Sequence, residues 1–287
     1  MNNSQTSVKQ DITIERMNRK EVDIAIEWAQ KEGWNPGIHD AECFYNADPT
    51  GFYAAKLNGE VIGTISLVKY AGNFVFEGLY IIKPEFRGKG IGKQVQQYAL
   101  DLCRDMNLGL DGIVSIKEKY EEYGLKFAYN NCRFACKAVD KPSKNCQPIK
   151  REDFKEVGVY DKECFRFDRI EFLECWLFQK DHTSMLIRNS RGEITGYGVI
   201  RKCFKGYKIG PLFTNSEGEA ELLFNSLTST VLGEIIFLDV PELNETGVQF
   251  AQLKCMQPIF TTVRMYSKSI PDLPISKSFG VTTFELG

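Results

Sequence analysis

The sequence predicts an α/β protein built from two domains with a similar order of elements. Three observations support this prediction. The chain has 287 residues, and a globular domain typically contains about 100–150 residues. Segments with strand and helix periodicity alternate throughout. The order of elements in residues 1–139 recurs in outline in residues 149–287, and the polar, proline-bounded residues 140–148 are typical of a linker.

Local signals predict the elements of the first half. Asn18 and Glu21 have the spacing of a capping box, which favours a helix that ends at Gly33. Asn58-Gly59 separates two apolar runs, as in a hairpin with a type I′ turn. The other predicted elements are strands at 11–17, 52–57, 61–70, 74–82, 108–114 and 127–139, a helix from residue 91, and a short helix capped by Ser115 and Glu118 that ends at Gly124.

The second half repeats this order less regularly. Ser216 and Glu219 cap one predicted helix, and another follows Pro241. The remaining predictions are helices within 152–160 and 168–178, hairpin strands at 184–189 and 194–201, and strands at 207–213, 234–240 and 258–266.

Composition excludes several classes of function. A formal net charge of −2 argues against a nucleic-acid partner, and no apolar run is long enough for a membrane span. Residues 1–10 are polar and lack the core of a signal peptide. The nine cysteines form no C-x-x-C pair and there are only two histidines, so we expect no metal site. An odd number of cysteines favours a reducing cytoplasm over a disulfide framework.

The most informative stretch joins a strand, a glycine loop and a helix. Apart from Glu77 and Gly78, residues 74–82 are β-branched, aromatic or aliphatic, and Pro84 ends the strand because it has no N–H to donate. Residues 87–92, with the sequence RGKGIG, then place three glycines at alternate positions beside two cations. Free amides, positive charge and the N-terminus of the following helix predict a pyrophosphate site.

Three kinds of loop have this character. A P-loop needs Ser or Thr after Gly-Lys, but Gln94 follows Lys93, and a Rossmann loop needs G-x-G-x-x-G. The third kind is the acetyl-CoA loop of the GNAT superfamily, Q/R-x-x-G-x-G/A, which this segment resembles through Arg87, Gly90 and Gly92. A glycine turn with two solvated cations is the simpler alternative. The resemblance implies that the cofactor-binding residues are Tyr80, Ile81, Ile82, Arg87, Gly88, Lys89, Gly90, Ile91 and Gly92.

A second segment supports the same family. Lys119–Leu125 resembles the GNAT segment in which a tyrosine lies four positions before a glycine, here Tyr120 and Gly124. In the family this tyrosine protonates the departing thiolate, and the similar reference pKa values of a phenol and a thiol suit that transfer. The alternative is that Tyr120 packs in the core, as we expect for Tyr123.

The resemblance extends over both halves, to tandem-domain acetyltransferases of this superfamily. It rests on 33–45, 239–244, 264–266 and 284–287. It implies two GNAT-like domains, each with a mixed, mostly antiparallel twisted sheet flanked by helices.

The second half departs from the pattern where the cofactor loop should lie. After Gly210, the residues up to 220 contain one late glycine, Gly218, and no arginine or lysine, and Glu217, Glu219 and Glu221 crowd the helix start. Because these carboxylates would repel a pyrophosphate, we expect this half to bind no CoA. Its expected task is to close the substrate cleft or to form a homodimer contact.

Acidic and aromatic residues complete the expected site. Glu77 lies where the family often places a carboxylate that deprotonates the amine, although a solvated strand carboxylate is an equal alternative. Asp40, Glu42 and Asp111 are candidates to attract a cationic amine, and Trp34 to form a wall of its pocket. Surface or cap positions are the favoured alternative for the three acids, and core packing explains Trp34 equally well.

The sequence therefore predicts an N-acetyltransferase that uses acetyl-CoA as co-substrate and no metal. A primary amine, expected to belong to a small molecule, attacks the thioester directly, with Tyr120 and Glu77 as catalytic groups. The alternative is a non-catalytic module that binds acyl-CoA or senses a metabolite.

Overall fold

The computed structural model describes residues 12–138 and 142–287, whose strands form one continuous sheet. The strand order is β1-β2-β3-β4-β5-β12-β6-β11-β10-β9-β8-β7, and β13 pairs with β10. The strands are β1 Ile12–Arg16, β2 Phe52–Leu57, β3 Glu60–Tyr70, β4 Phe74–Ile82, β5 Asn107–Ile113, β6 Lys126–Lys137, β7 Cys146–Pro148, β8 His182–Arg188, β9 Ile194–Lys202, β10 Tyr207–Thr214, β11 Ile235–Pro241, β12 Gln257–Tyr266 and β13 Ser278–Gly280.

Eight α-helices flank this sheet in the described part of the chain. They are α1 Arg19–Lys31, α2 Asp40–Ala47, α3 Ile91–Leu102, α4 Lys117–Glu122, α5 Phe154–Phe165, α6 Ile170–Phe178, α7 Glu217–Thr228 and α8 Glu245–Leu253. Only β4 with β5 and β10 with β11 run parallel among the paired strands described. The predicted α/β class, with a mixed and mostly antiparallel sheet, is confirmed. No helix among the described residues is long and apolar enough to cross a bilayer.

The two halves exchange strands. β12, from the second half, lies between β5 and β6 of the first, with Arg264 opposite Asp111 on one side and opposite Tyr129 on the other. β6 in turn pairs with β11 over its second half, from Asn131 opposite Pro241 to Lys137 opposite Ile235. The sheet is therefore continuous across the two halves that the expected linker at 140–148 separates in sequence, because each half contributes a strand next to strands of the other.

Three apolar clusters hold the helices on the sheet. Alternate residues of β4 point to opposite faces, so that Phe74 and Phe76 join one cluster and Val75 another. The first cluster contains apolar residues of α1, α2, α5 and α6, and spans both halves. On the other face, α3 packs against the strands of the first half, whereas α7 and α8 pack against those of the second.

Several local predictions are confirmed by the geometry. Asn18 and Glu21 form a complete capping box at α1. Asn58 and Gly59 both have positive φ, at 51° and 82°, as a type I′ turn requires. Ser216 accepts from the Glu219 amide at the start of α7.

Other local predictions were wrong or incomplete. The short helix α4 begins at Lys117 without a side-chain cap, so Ser115 does not cap it. The expected linker at 140–148 ends in strand β7, which pairs with β8, while residues 139–141 and Asp11 lie outside the described residues. Helix α2 and strand β13 were not predicted.

One disulfide also differs from expectation. Cys43 of α2 and Cys175 of α6 are bonded, across 132 residues of sequence. The odd number of cysteines favoured no such bond. The pairing follows from the packing of α2 against α6, which no sequence spacing encodes.

Candidate active site

A cleft opens where β4 and β5 diverge. These strands pair from Phe74 with Asn107 to Glu77 with Leu110, and no further pairing between them follows. Leu79 has a φ of 46°, and the register of β4 against β3 shifts at this point, so a bulge bends β4 away from β5. The resulting cleft has a volume of about 550 Å³, including its open side. Trp34, Glu77, Tyr80, Tyr120, Phe284 and Glu285 are among its lining residues.

The predicted cofactor loop lies between the end of β4 and α3. Gly88 and Gly90 have φ values of 73° and 80°, and Gly90 is the N-cap of α3. A side chain is strained at such angles, whereas glycine adopts them freely. A Cβ at Gly92 would lie 2.6 Å from the Tyr80 hydroxyl, so the loop passes closely over β4. A glycine cradle at the start of a 12-residue helix fits a pyrophosphate group.

The two cations of this loop differ in their contacts. Arg87 Nε donates to the Ile82 carbonyl at 2.8 Å, and its Nη2 pairs with Glu32. These bonds hold Arg87 at the end of β4. Lys89 lies over the Phe86 ring, with Nζ 5.3 Å from the ring centre. Ile81 and Ile82 of the same strand are buried.

Glu77 lies in the cleft rather than in solvent. Its side chain is 2% exposed, and its Oε2 accepts from Gln96 Nε2 of α3 at 2.7 Å. Its Oε1 is buried and has no hydrogen-bond partner among the described residues. Burial raises the pKa of this carboxyl to about 7, and the bond from Gln96 opposes the rise. A carboxylate with such a pKa is suited to accept a proton near neutral pH.

Tyr120 lines the same cleft. Helix α4 places its ring against Gly112 of β5, where a Cβ would lie 2.5 Å from the ring. Burial raises the pKa of this phenol well above its usual value, and Glu77 and Tyr80 raise it further. The phenol therefore stays protonated, and its raised pKa departs from the near balance with a thiol that the reference pKa values predict. Tyr123 packs outside the lining.

The far wall of the cleft contains residues that the sequence did not identify as a site. Phe260 and Thr262 of β12, and Phe284 and Glu285 of the C-terminal segment, line it together with Trp34. Strand exchange brings β12 to this wall. The only sequence signal was the resemblance of 284–287 to tandem-domain acetyltransferases, which gave no role.

Asp111 also lines the cleft, but its charge is compensated. Arg264 donates to both carboxylate oxygens at 2.8 and 2.6 Å, and Asn131 donates to Oδ1. Burial raises the pKa of Asp111, while Arg264 opposes that rise.

Asp40 and Glu42 are not among the residues that line the cleft. Asp40 is fully buried, where it accepts from Arg201 Nε at 2.8 Å and from the Gly37 amide at 2.7 Å. Glu42 is exposed and pairs with Arg19. The structure thus brings Trp34, Glu77, Asp111 and Tyr120 together and leaves Asp40 and Glu42 apart from them.

In the second half, the equivalent opening is filled. β10 and β11 pair from Tyr207 to Ile209 and then diverge as β4 and β5 do. β13 pairs with β10 in the gap, and the Val281 amide donates to the Asp239 carbonyl of β11 at 2.8 Å. The protein's own backbone therefore occupies the space that is open in the first half.

Comparisons with known proteins agree with this arrangement. Residues 20–121 match a profile described as the acetyltransferase (GNAT) family, and residues 157–280 match one described as an acetyltransferase (GNAT) domain. A holothin acyltransferase of Pseudoalteromonas sp. (strain SANK 73390) is 29% identical over 272 residues, which cover 93% of this chain and 92% of the relative. The uncharacterised N-acetyltransferase YitH of Bacillus subtilis is 23% identical and covers 75% of this chain and 78% of its own length.

Solved structures share the fold. A Pyrococcus horikoshii protein proposed to be an acetyltransferase has a TM-score of 0.81 at 19% identity, covering 97% of this chain and 96% of its own. A tandem GNAT protein from the clavulanic acid biosynthesis pathway has a TM-score of 0.63 at 12% identity, covering 91% of this chain and all of its own. With one GNAT match in each half and a tandem GNAT fold throughout, this chain belongs to the GNAT superfamily of acyltransferases and carries two GNAT domains in tandem.

Proposed function

We propose that the protein transfers an acetyl group from acetyl-CoA to a primary amine of a small molecule by direct attack. One observation carries the proposal: Glu77 and Tyr120, a base and an acid by type, line the same cleft where β4 and β5 diverge. The loop at 87–92 precedes α3 and lies at the adjoining end of β4. In this proposal it holds the pyrophosphate.

Glu77 acts as the general base. An ammonium cannot attack a thioester, so the acceptor must lose a proton before or during attack. Oε2 of Glu77 accepts a hydrogen bond from Gln96, which leaves Oε1 available to accept the proton. Its pKa of about 7 lets it be ionised, and still basic, in the neutral range.

Tyr120 assists departure of the thiolate. Its raised pKa keeps the phenol protonated, which is the form that an acid requires. Because burial makes this phenol a weaker acid than a thiol of ordinary pKa, complete proton transfer is uphill. A hydrogen bond from the phenol to the developing thiolate is therefore the form of assistance that the pKa supports.

The acceptor binds against the wall of the cleft that β12 and the C-terminal segment form. Trp34, Phe260 and Phe284 give that side aromatic walls, which suits a small molecule with an apolar body. One relative is named for acylation of holothin. Holothin is therefore the first acceptor to test, and thioesters longer than acetyl-CoA belong in the same screen.

The test is release of free thiol from acetyl-CoA by the full chain with holothin and a panel of primary amines, with mass analysis of the products. We expect thiol release that depends on the amine and an amine product heavier by one acyl group. Tight CoA binding without thiol release for any amine or thioester would contradict an enzyme and favour a binding module.

A further inference from the structure

The polar groups of the cleft divide into those with partners and those without. Both oxygens of Asp111 accept from Arg264. Glu77 Oε1, Thr262 Oγ1 and Glu285 Oε2 are buried and have no hydrogen-bond partner among the described residues. Glu77 has a role in the proposed reaction. Glu285 has no role in that reaction, although a buried carboxylate oxygen without a hydrogen-bond partner lowers the stability of the folded protein.

The position of Glu285 is fixed by its backbone. A Cβ placed on Gly78 would lie 2.2 Å from the Glu285 carbonyl oxygen, so this part of the C-terminal segment rests directly on β4. Gly78 follows Glu77, the proposed base. The Glu285 amide also donates to Thr283 Oγ1 at 3.1 Å. The backbone of Glu285 is thus held against β4 next to Glu77, and Glu285 is a lining residue of the cleft that is only 3% exposed.

Nearby cations do not satisfy this carboxylate. Arg133 donates to both oxygens of Asp239, at 2.6 and 2.8 Å, and to the Trp34 carbonyl. Arg201 donates to Asp40. Lys208 Nζ forms an ion pair with Asp239 at 3.8 Å, and this Nζ and Arg201 Nη1 have no hydrogen-bond partner among the described residues. Their positive charge opposes the rise that burial causes in the pKa of Glu285, but none of them hydrogen-bonds it.

We propose that Glu285 recognises a second hydrogen-bond donor on the acceptor. The acceptor class is then small primary amines that carry another N–H or O–H group, such as diamines and amino alcohols. An ionised carboxylate only accepts hydrogen bonds, so it selects for a donor and against an alkyl group at the same place. This inference rests on the proposed function and assigns the acceptor side of the same cleft.

The test compares matched acceptors on the full-length chain. Alkylamines of two to six carbons are each paired with the diamine and the amino alcohol of equal length, and kcat/KM is measured by thiol release. We expect at least one donor-bearing amine to exceed its alkyl partner by about 10- to 100-fold, the usual value of a hydrogen bond to a charged group. Equal values at every length would overturn the assignment.

Variants connect the preference to Glu285. Glu285→Met removes the acceptor oxygens and should bring the ratio within about threefold of one, while the alkylamine keeps most of its rate. Glu285→Gln keeps one acceptor oxygen and should retain part of the preference, and it serves as the second variant where Glu285→Met fails to fold. Glu42→Gln, an exposed carboxylate outside the lining, should leave the ratio unchanged. A general loss of structure would lower both rates and leave the ratio intact, so an unchanged ratio in Glu285→Met overturns the proposal.

Binding separates this inference from the proposed reaction. If CoA binds but no amine releases thiol, the reaction is wrong. Calorimetry of the CoA-loaded chain with the same pairs of amines then measures whether Glu285 recognises the second donor. Tighter binding of the donor-bearing amine, lost in Glu285→Met, supports recognition. Equal binding within each pair, or binding of neither member of any pair, overturns it.

Discussion

The carbonyl oxygen of Glu285 rests against the Cα of Gly78. A Cβ on Gly78 would lie 2.2 Å from that oxygen, closer than any real contact of this kind. The residues are separated by most of the chain, yet their contact places the C-terminal segment beside Glu77. The hydroxyl of Tyr70 adds a second tie by donating to the Leu286 carbonyl at 2.9 Å.

Gly78→Ala should therefore displace the C-terminal segment. Backbone lies on both sides of the clash, so relief requires a shift of the segment or of β4, and we expect a loss of about 1–3 kcal/mol of unfolding free energy. Amine turnover should fall more than CoA affinity, because the far wall moves. Denaturant unfolding and calorimetry measure these effects. Gly218→Ala, where the Cβ meets nothing within 4 Å, is the control, and equal behaviour of the two variants would contradict the proposed contact.

Gly90→Val should abolish CoA binding more completely than Arg87→Ala. Valine at a φ of 80° strains the backbone and fills the space over several amides at once. Arg87→Ala removes one charged hydrogen bond to the phosphate, and such a bond contributes about 1.5–3 kcal/mol. CoA affinity by calorimetry checks the order. Gly59→Val carries the same strain at a φ of 82° in the β2–β3 turn and should leave the affinity unchanged. Unchanged affinity in folded Gly90→Val would show that the loop does not bind CoA.

One CoA should bind per chain. The loop at 87–92 adjoins an open divergence of strands, whereas β13 fills the equivalent space between β10 and β11. Calorimetric titration should give a stoichiometry of one, and Gly90→Val should remove that site. Two sites per chain, or one that persists in Gly90→Val, would contradict the assignment of CoA to the first half.

Tyr120→Phe should lower kcat by roughly 10²–10³-fold, the usual effect of losing a hydrogen-bond donor to a developing negative charge. The ring still packs on Gly112, so folding and CoA affinity should stay close to those of the wild type. The KM of either substrate should change less than kcat, because the hydroxyl is needed only as the thiolate leaves. Steady-state rates with an accepted amine measure this. Tyr123→Phe should remain active, and full activity in both variants would show that neither phenol assists departure of the thiolate.

Glu77→Gln should remove the acid limb of the pH profile together with most of the activity. In the wild type, kcat at saturating amine should rise with pH up to about 7, where Glu77 becomes ionised, and then level off. A wild-type profile without a transition near pH 7 would contradict the role of Glu77 as base.

The same variant should be more stable than the wild type above neutral pH. The folded-state pKa of about 7 exceeds the ordinary 4.5, so the folded chain binds more protons between these values. The stabilisation from this group is complete below about pH 4.5 and is lost as pH rises through 7. Glu77→Gln avoids that loss, and its advantage in urea unfolding of the CoA-free protein should grow by up to about 3 kcal/mol across that range. An advantage that is equal at pH 5 and pH 8 would contradict the raised pKa.

Contacts between near neighbours were predictable from the sequence. The capping box of Asn18 and Glu21, the turn at Asn58-Gly59 and the strand at 74–82 each depend on a few adjacent residues and on the alternation of apolar side chains. The glycine spacing of 87–92 likewise predicted a loop that leads into the N-terminus of a helix, and Gly88 and Gly90 have positive φ there. Local backbone preference and periodicity decide such features before the chain folds.

Long-range packing decided the rest. No spacing in the sequence pairs Arg264 with Asp111, Cys43 with Cys175 or Glu285 with Gly78, since each pair meets only after β12 enters the first half and the C-terminal segment crosses β4. Asp40 is a residue type that often occurs in binding sites, but it forms a buried ion pair with Arg201. The sequence by itself determined the fold class and the glycine loop before α3, whereas only the tertiary structure decided which carboxylates share the cleft, because burial and partners, not residue type, set their charge and availability.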